Sequence, residues 1–322
     1  MKSGKFVTLC LVILCIACGN EFIIPDPVKK PVDQENPSAG DKDNQLEDEP
    51  GLNVPQIEVK EGVLAADGKD ELTYDLILKS GYNYETPDQS GNHASNTFRH
   101  IAQSYDRQLR RWVFDFILHI ENDDDRGKAE IKDRQRNEIK TDSKSPSSMV
   151  AQQGETLRMR WKFKLPEGMQ TTTSFSHIHQ LKGIDNSEGN ADVGMPLVTF
   201  TARSLSNGKQ QLQVIFVAPS EQNYAKTTLF KADLAEFLGQ WVEVEETVTF
   251  ASDGKYQVSV KRLSDSKELV NVPQTSLPLW RTGSTGIRPK WGLYRWFGEN
   301  RSSAHLLRDE CLKFADFSIE KL

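Results

Sequence analysis

Beyond residue 56, apolar and polar side chains alternate with a period of two along most of the chain. The clearest case is 155–165, where the alternation holds for eleven residues. Segments 211–217, 240–250 and 255–263 repeat it with local breaks, and 112–120 and 314–319 add shorter runs. A period of two buries one face of a strand and wets the other. Asp253-Gly254 lies between two such runs and carries the turn chemistry of a hairpin. Only short helices are expected, such as 229–238, and 70–80 is ambiguous. Many strands with few helices predict an all-β body over 56–322, folded as a two-sheet jelly-roll β-sandwich with few short helices. No internal repeat interrupts it.

The first 56 residues follow a different pattern. Lys2 and Lys5 precede an apolar run of twelve residues, 6–17. A membrane-spanning helix needs about 20, so this run is the core of a secretory signal. It ends in Cys15-Ile16-Ala17-Cys18-Gly19-Asn20, which resembles a bacterial lipoprotein cleavage box. That resemblance makes 1–17 the signal peptide and Cys18 the lipidated first residue. Residues 18–55 are poor in large apolar groups and read as a disordered acidic tether. The expected location is the cell envelope, lipid-anchored in the outer membrane of a Gram-negative bacterium, with the lipid as the sole membrane contact.

Composition narrows the function. The 322 residues are 37% hydrophobic and 27% charged with four cysteines, which excludes a multi-spanning membrane protein and a disulfide scaffold. Net charge is −6. Segment 18–56 holds nine acids and three lysines, the leader adds +2, and −2 is left for the body. This balance excludes nucleic-acid binding by phosphate neutralisation but permits a local basic groove. Cys311 is the one cysteine outside the leader and reads as a buried small hydrophobe.

Three segments concentrate chemistry on one strand face. In Arg134-Gln135-Arg136-Asn137-Glu138-Ile139-Lys140, the residues Arg134, Arg136, Glu138 and Lys140 share a side. They form an anion-binding strip in which Glu138 steadies an arginine, or simply a solvated face. In His177-Ile178-His179, strict alternation puts both imidazoles on one side with Phe175 and Leu181. The pair reads as acid–base chemistry, as structural histidines or as half of a zinc site. In Arg288-Pro289-Lys290-Trp291-Gly292-Leu293-Tyr294, Arg288, Lys290, Gly292 and Tyr294 share a face while Trp291 and Leu293 enter the core. Gly292 marks a close backbone approach, and the nearby cations favour ionisation of Tyr294.

Guanidinium, imidazole and phenol together suit β-elimination from a uronic-acid polymer. The reaction needs a cation on the C6 carboxylate, a base for the C5 proton and an acid for the leaving O4. The three segments, in this order, resemble the signature strands of jelly-roll polysaccharide lyases of the alginate-lyase, glucuronan-lyase and heparin-lyase-I-like type. In alginate lyases of this fold they read Arg-x-Glu-Leu-Arg, Gln-Ile-His and Tyr-Phe-Lys-Ala-Gly-x-Tyr. Here they read Arg136-Asn137-Glu138-Ile139-Lys140, His177-Ile178-His179 and Arg288-Pro289-Lys290-Trp291-Gly292-Leu293-Tyr294.

The resemblance implies a concanavalin A-like sandwich and an acidic polysaccharide substrate. It makes Arg136 the carboxylate-binding residue, His179 the base and Tyr294 the acid, with His177 in place of the family's glutamine. Arg134, Glu138, Lys140, Lys290 and Arg288 would line the substrate path. Lys140 replaces the second arginine of the first motif. The expected protein is a monomeric enzyme without a cofactor; Asp123-Asp124-Asp125, near Asp133, reads as a solvated turn, with a structural calcium as the alternative. Two other readings stand beside it. One is a non-catalytic glycan-binding lipoprotein on the same fold. The other is a glycoside hydrolase using Glu243 and Glu245. Trp280, Trp296 and Phe297 are candidates for sugar stacking or core. Asn92, His93, Asn96 and His100 could supply further polar contacts.

Overall fold

The computed structural model describes residues 59–90, 99–128 and 130–322. The expectations for the signal peptide, Cys18, the tether, and for Asn92, His93 and Asn96 lie outside the described residues. Fifteen strands run through the described part: β1 (Val63–Leu64), β2 (Asn83–Glu85), β3 (Ile101–Asp106), β4 (Arg111–Leu118), β5 (Arg134–Lys140), β6 (Thr156–Lys164), β7 (Ser176–Ile184), β8 (Val198–Ser204), β9 (Gln210–Val217), β10 (Lys226–Asp233), β11 (Trp241–Thr249), β12 (Gly254–Arg262), β13 (Glu268–Leu277), β14 (Gly286–Trp296) and β15 (Glu310–Lys321).

They form two antiparallel sheets. One has the order β13-β12-β11-β6-β15-β4-β3, with β1 added against β15; the other runs β10-β9-β8-β7-β14-β5-β2. Strands distant in sequence sit side by side, as β6 does with β15 and β5 with β14. This two-sheet antiparallel arrangement is the jelly-roll β-sandwich that the alternation predicts.

The strand β6 shows how pattern becomes core. Leu157, Met159, Trp161 and Phe163 are buried, and the polar residues between them are not. Trp161 reaches across to the other sheet, its ring 5.7 Å from Trp291 and 5.9 Å from Phe200. Phe317 of β15 meets Trp291 at 5.5 Å. Each such aromatic buries roughly 150–250 Å², so this contact zone dominates the attraction between the sheets.

Helix is scarce. The ambiguous segment 70–80 becomes a 3-10 turn (Asp70–Leu72) and one α-helix, α1 (Thr73–Lys79). The helix expected over 229–238 is not formed. Its first half belongs to β10 and only Leu234–Glu236 coils, as a 3-10 turn capped by the Asp233 side chain. Thr227 and Thr228, with Leu229 and Phe230, are strand formers, and β9 offers them an open edge to pair with. Cys311 is half-buried rather than sealed, and burial pushes its thiol up to about 12.

The alternation fails at one place that matters. Where β7 meets β8, His177 pairs with Thr201 but His179 with Phe200; against β14, His179 faces Trp291 and His177 faces Tyr294. Both ladders slip at Ile178. Ile178 and His179 are therefore both buried in succession, and the pattern restarts one residue out of phase. Gly292, opposite the slip, has φ +143°, and a Cβ there would sit 2.0 Å from the Asn137 carbonyl oxygen. Only glycine fits this approach. Gly292→Ala is expected to lower unfolding stability by at least about 2 kcal/mol, read by denaturant titration. A change within about 0.5 kcal/mol, the range of a bland surface substitution, would contradict this packing.

Candidate active site

The outer face of the seven-stranded sheet collects the chemistry. On β5, Arg134, Arg136, Glu138 and Lys140 share this face as the alternation predicts, and on β14 so do Arg288, Lys290 and Tyr294. Tyr294 stands opposite Arg136 in the ladder, with the Arg136 guanidinium 3.7 Å from its ring centroid. Arg134 Nη1 donates to the Tyr294 hydroxyl at 2.8 Å and is steadied by Asp133. Burial raises Tyr294 above the ordinary tyrosine range, and Arg136 and Arg134 pull back only part of that. The phenol is thus kept protonated, against the expectation that the cations would ionise it.

His179 is not on this face. The bulge turns it inward, where it packs on Trp161 and Trp291 with 1% of its surface exposed. Its Nδ1 donates to the Lys290 carbonyl at 2.8 Å, and its Nε2 lies 2.9 Å from Glu246 Oε2. Tyr256 donates to the other Glu246 oxygen at 2.7 Å. With Nδ1–H committed to a carbonyl, a proton must lie between Nε2 and the carboxylate. The residue read from sequence as the base is a core fixture, out of reach of any polymer.

The outward positions of β7 are His177, Gln180 and Lys182. Gln180 donates to buried Glu138. His177 keeps its place: its ring centroid is 6.1 Å from that of Tyr294, and Phe175 stacks on it at 4.7 Å. Its Nδ1 lies 2.8 Å from Thr201 Oγ1. Burial, then Arg203, Arg136, Lys226 and Lys182, pull its pKa down to about 3, so it is a neutral imidazole at physiological pH.

Several expected substrate contacts lie beneath the surface instead. Arg136 donates to Asp125, Glu85 and Glu138 at 2.7–3.1 Å and is 8% exposed. Lys290 also meets Glu85 and Glu138, and Lys140 meets Glu85. These residues form a buried ion cluster whose charges are matched. Glu85, the acid at its centre, comes from short β2 and carries no sequence signal. Burial alone would raise its carboxyl, but Lys290, Arg136 and Lys140 hold it far below the usual carboxylate range. Arg288 stays half-buried on the same face, outside the cluster.

Above this layer lies a cleft of about 410 Å³. It is lined by His177, Gln180, Tyr294 and four cations, Arg134, Lys182, Arg203 and Lys226, with no acidic residue. Among the described residues, Lys182, Arg203 and Lys226 make no ion pair, and the Arg203 Nε is buried without a hydrogen bond. Neither Arg203 nor Lys226 belongs to a sequence motif; both come from the edge half of the sheet. A second hollow of about 690 Å³ continues past Arg134 and Tyr294, with acids and bases mixed.

The remaining candidates fall elsewhere. Glu243 and Glu245 point outward from the opposite sheet and pair with Lys162 and Arg160, so they form no hydrolase dyad. Asp123, Asp124 and Asp125 do not make an oxygen nest for calcium. Asp123 turns to His100 and His119, and Asp125 to Arg126 and Arg136. Burial lowers His100, but Asp123 and Asp88 outweigh it and raise the ring to about 9. Phe297 is core, while Trp280 and Trp296 are half-buried.

No protein-family profile and no curated protein matches the chain. Solved structures do show similarity of fold. An endo-β-1,4-glucuronan lyase from the fungus Trichoderma reesei is 12% identical, with 74% of this chain and 94% of that one covered, at a TM-score of 0.46. Alginate lyase A1-II′, a member of polysaccharide lyase family 7, is 16% identical over 75% and 95%, also at 0.46. Alginate lyase vAL-1 from Chlorella virus is 12% identical over 68% and 89%, at 0.40.

Two outcomes check this geometry. Glu246→Ala strips one partner from a buried pair and is expected to cost about 3–5 kcal/mol, with Glu246→Gln milder, in denaturant unfolding. The second concerns His177. Between pH about 3 and its ordinary value near 6.5, the unfolded chain binds a proton at His177 that the folded one refuses. This group's contribution to stability therefore falls as pH falls through that window. His177→Asn should gain stability relative to wild type from pH 7 to pH 4, and a pH-independent difference would refute the assignment.

Proposed function

We propose that the protein is a polysaccharide lyase that cleaves a uronic-acid-containing glycan by β-elimination in the cation-lined cleft. One observation carries this reading. Three cations that make no ion pair among the described residues, Lys182, Arg203 and Lys226, border a neutral imidazole and a protonated phenol on the same wall. A cleft built of cations alone selects a polyanion. A mere structural face would pair them, as the layer beneath it does.

In this mechanism the uronate carboxylate sits among Lys182, Arg203 and Lys226, which makes the C5 proton acidic. His177 Nε2 takes that proton. The electron pair left on C5 forms the C4=C5 bond as the C4–O4 bond breaks. Tyr294 gives its hydroxyl proton to O4, and the phenolate is held by the Arg134 hydrogen bond and the Arg136 guanidinium under its ring. A free imidazole at a pKa near 3 is a weak base. Burial is the larger cause of that depression and the surrounding cations the rest; a bound carboxylate cancels the cations' share, so substrate itself raises the basicity of His177 in part. The lipid anchor expected at Cys18 would hold this cleft at the cell envelope, and the mass of the mature N-terminus tests that.

The deciding experiment incubates the protein with a panel of uronate polymers and follows ultraviolet absorbance from the new C4=C5 bond. Absorbance should grow with wild type. It should fall by about 10²–10⁴-fold in Tyr294→Phe and in His177→Ala, the range for loss of a general acid or base. Lys226→Ala should raise KM more than it lowers kcat. Binding without absorbance on every polymer would replace this reading with a glycan-binding module, and reducing ends without absorbance would replace it with a hydrolase.

A further inference from the structure

Behind β5, on the side away from the cleft, two imidazoles and a carboxylate meet. His100 Nε2 lies 2.9 Å from Asp123 Oδ1, and His119 Nδ1 lies 3.2 Å from Asp123 Oδ2. One ligand atom from each of the three residues falls within 4.8 Å of the others. Ligands of a tetrahedral zinc ion, bonded at about 2.0–2.1 Å, stand about 3.3 Å apart, so the trio has only to draw together at its widest separation to seat a small ion.

The surroundings are built to hold these groups. Two inward-facing amides of β5, both fully buried, fix the backbone of all three residues. Gln135 Nε2 donates to the His119 and Asp123 carbonyls at 2.6 and 2.9 Å, and Asn137 Nδ2 donates to the His100 carbonyl at 2.6 Å. The His119 amide donates to Asp123 Oδ2 at 2.6 Å. On the far side of the His100 ring, Asp88 Oδ1 lies 3.4 Å from Nδ1, and Tyr74 donates to Asp88 at 2.8 Å. A carboxylate behind the non-ligating nitrogen is the usual support of a metal-bound histidine.

We propose that His100, His119 and Asp123 bind a divalent transition-metal ion of the zinc class. Two imidazole nitrogens favour such an ion over calcium or magnesium, which take oxygen. His100 and Asp123 are sealed, while His119 keeps 27% of its side chain exposed and gives the ion its way in. A water completes the fourth position. The ion would clamp the loop that, two residues on, presents Asp125 to Arg136, and so would stiffen the cleft from behind.

The test uses the full chain with its thiols alkylated, stripped with a chelator and titrated with Zn²⁺ against a chromogenic competitor. One equivalent should bind, and its affinity should drop at least tenfold in His119→Ala, whose side chain is the least buried of the three. Asp88→Asn keeps every ligand and should weaken binding about 10–100-fold. His305→Ala, an exposed histidine outside the trio, should change nothing. Zn²⁺ should raise the melting temperature of wild type and not of His119→Ala. Equal binding by wild type and His119→Ala, no binding by either, or no thermal shift in wild type would overturn the proposal. The proposal stands whether or not the cleft proves to be a lyase site.

Discussion

Gly292 approaches the β5 backbone so closely that no side chain fits there. On the other side of β14 lies the slip at Ile178, where β7 loses register with both neighbours at once. The share of the cleft wall that β7 supplies follows from that slip. It sends His177, Gln180 and Lys182 outward and seals His179 inside. The His179–Glu246–Tyr256 chain then fastens the bulged strand to the opposite sheet, so the bulge cannot slide back without breaking a buried network. A bulge that re-aims side chains beside a functional surface is a recurrent device in sheets.

Charge is sorted into two layers on this sheet. Beneath, Arg136, Lys290 and Lys140 share Glu85 and Glu138, with Asp125 completing the set. Removing any one member would strand a buried charge, so the layer is rigid rather than merely attractive. Above, Lys182, Arg203 and Lys226 keep their charge without an ion-pair partner among the described residues. Arg134 and Tyr294 sit at the boundary, tied to the lower layer through Arg136 and open to both hollows. The matched layer fixes positions, and the unmatched one supplies the field.

Much of this was legible in the sequence, and the failures have one cause. Regular alternation identified the sandwich, the inward Trp291 and Leu293, and the outward strip on β5 and β14, because those strands keep their period. On β7 the same rule failed, since one extra residue reverses every later side chain. Leu181 held the clue. It is apolar in the phase of His179, while Gln180 and Lys182 are polar in the other. Read from Leu181 backwards, the strand puts His179 inside. Glu85, Arg203 and Lys226 were invisible for another reason: each is an ordinary charged residue on an ordinary strand, made part of the site only by which strands the fold sets side by side. Burial also could not be read from charge, so Arg136, Glu138 and Lys290 seemed available when they are covered.

The electrostatics of His177 connect these layers to chemistry. An imidazole among four cations is neutral but feeble as a base, and one paired with a carboxylate, as His179 is, would be fixed in place. In the proposed reaction a polyanion would resolve this, bringing its own negative charge to the cations and leaving the imidazole free. Tyr294 has the opposite bias, since burial holds its proton on; in the proposed reaction it would pass to the leaving oxygen, with Arg134 and Arg136 placed to stabilise the phenolate. The two groups are therefore displaced from neutrality in opposite senses, and that is the arrangement by which neighbouring side chains divide base and acid between them.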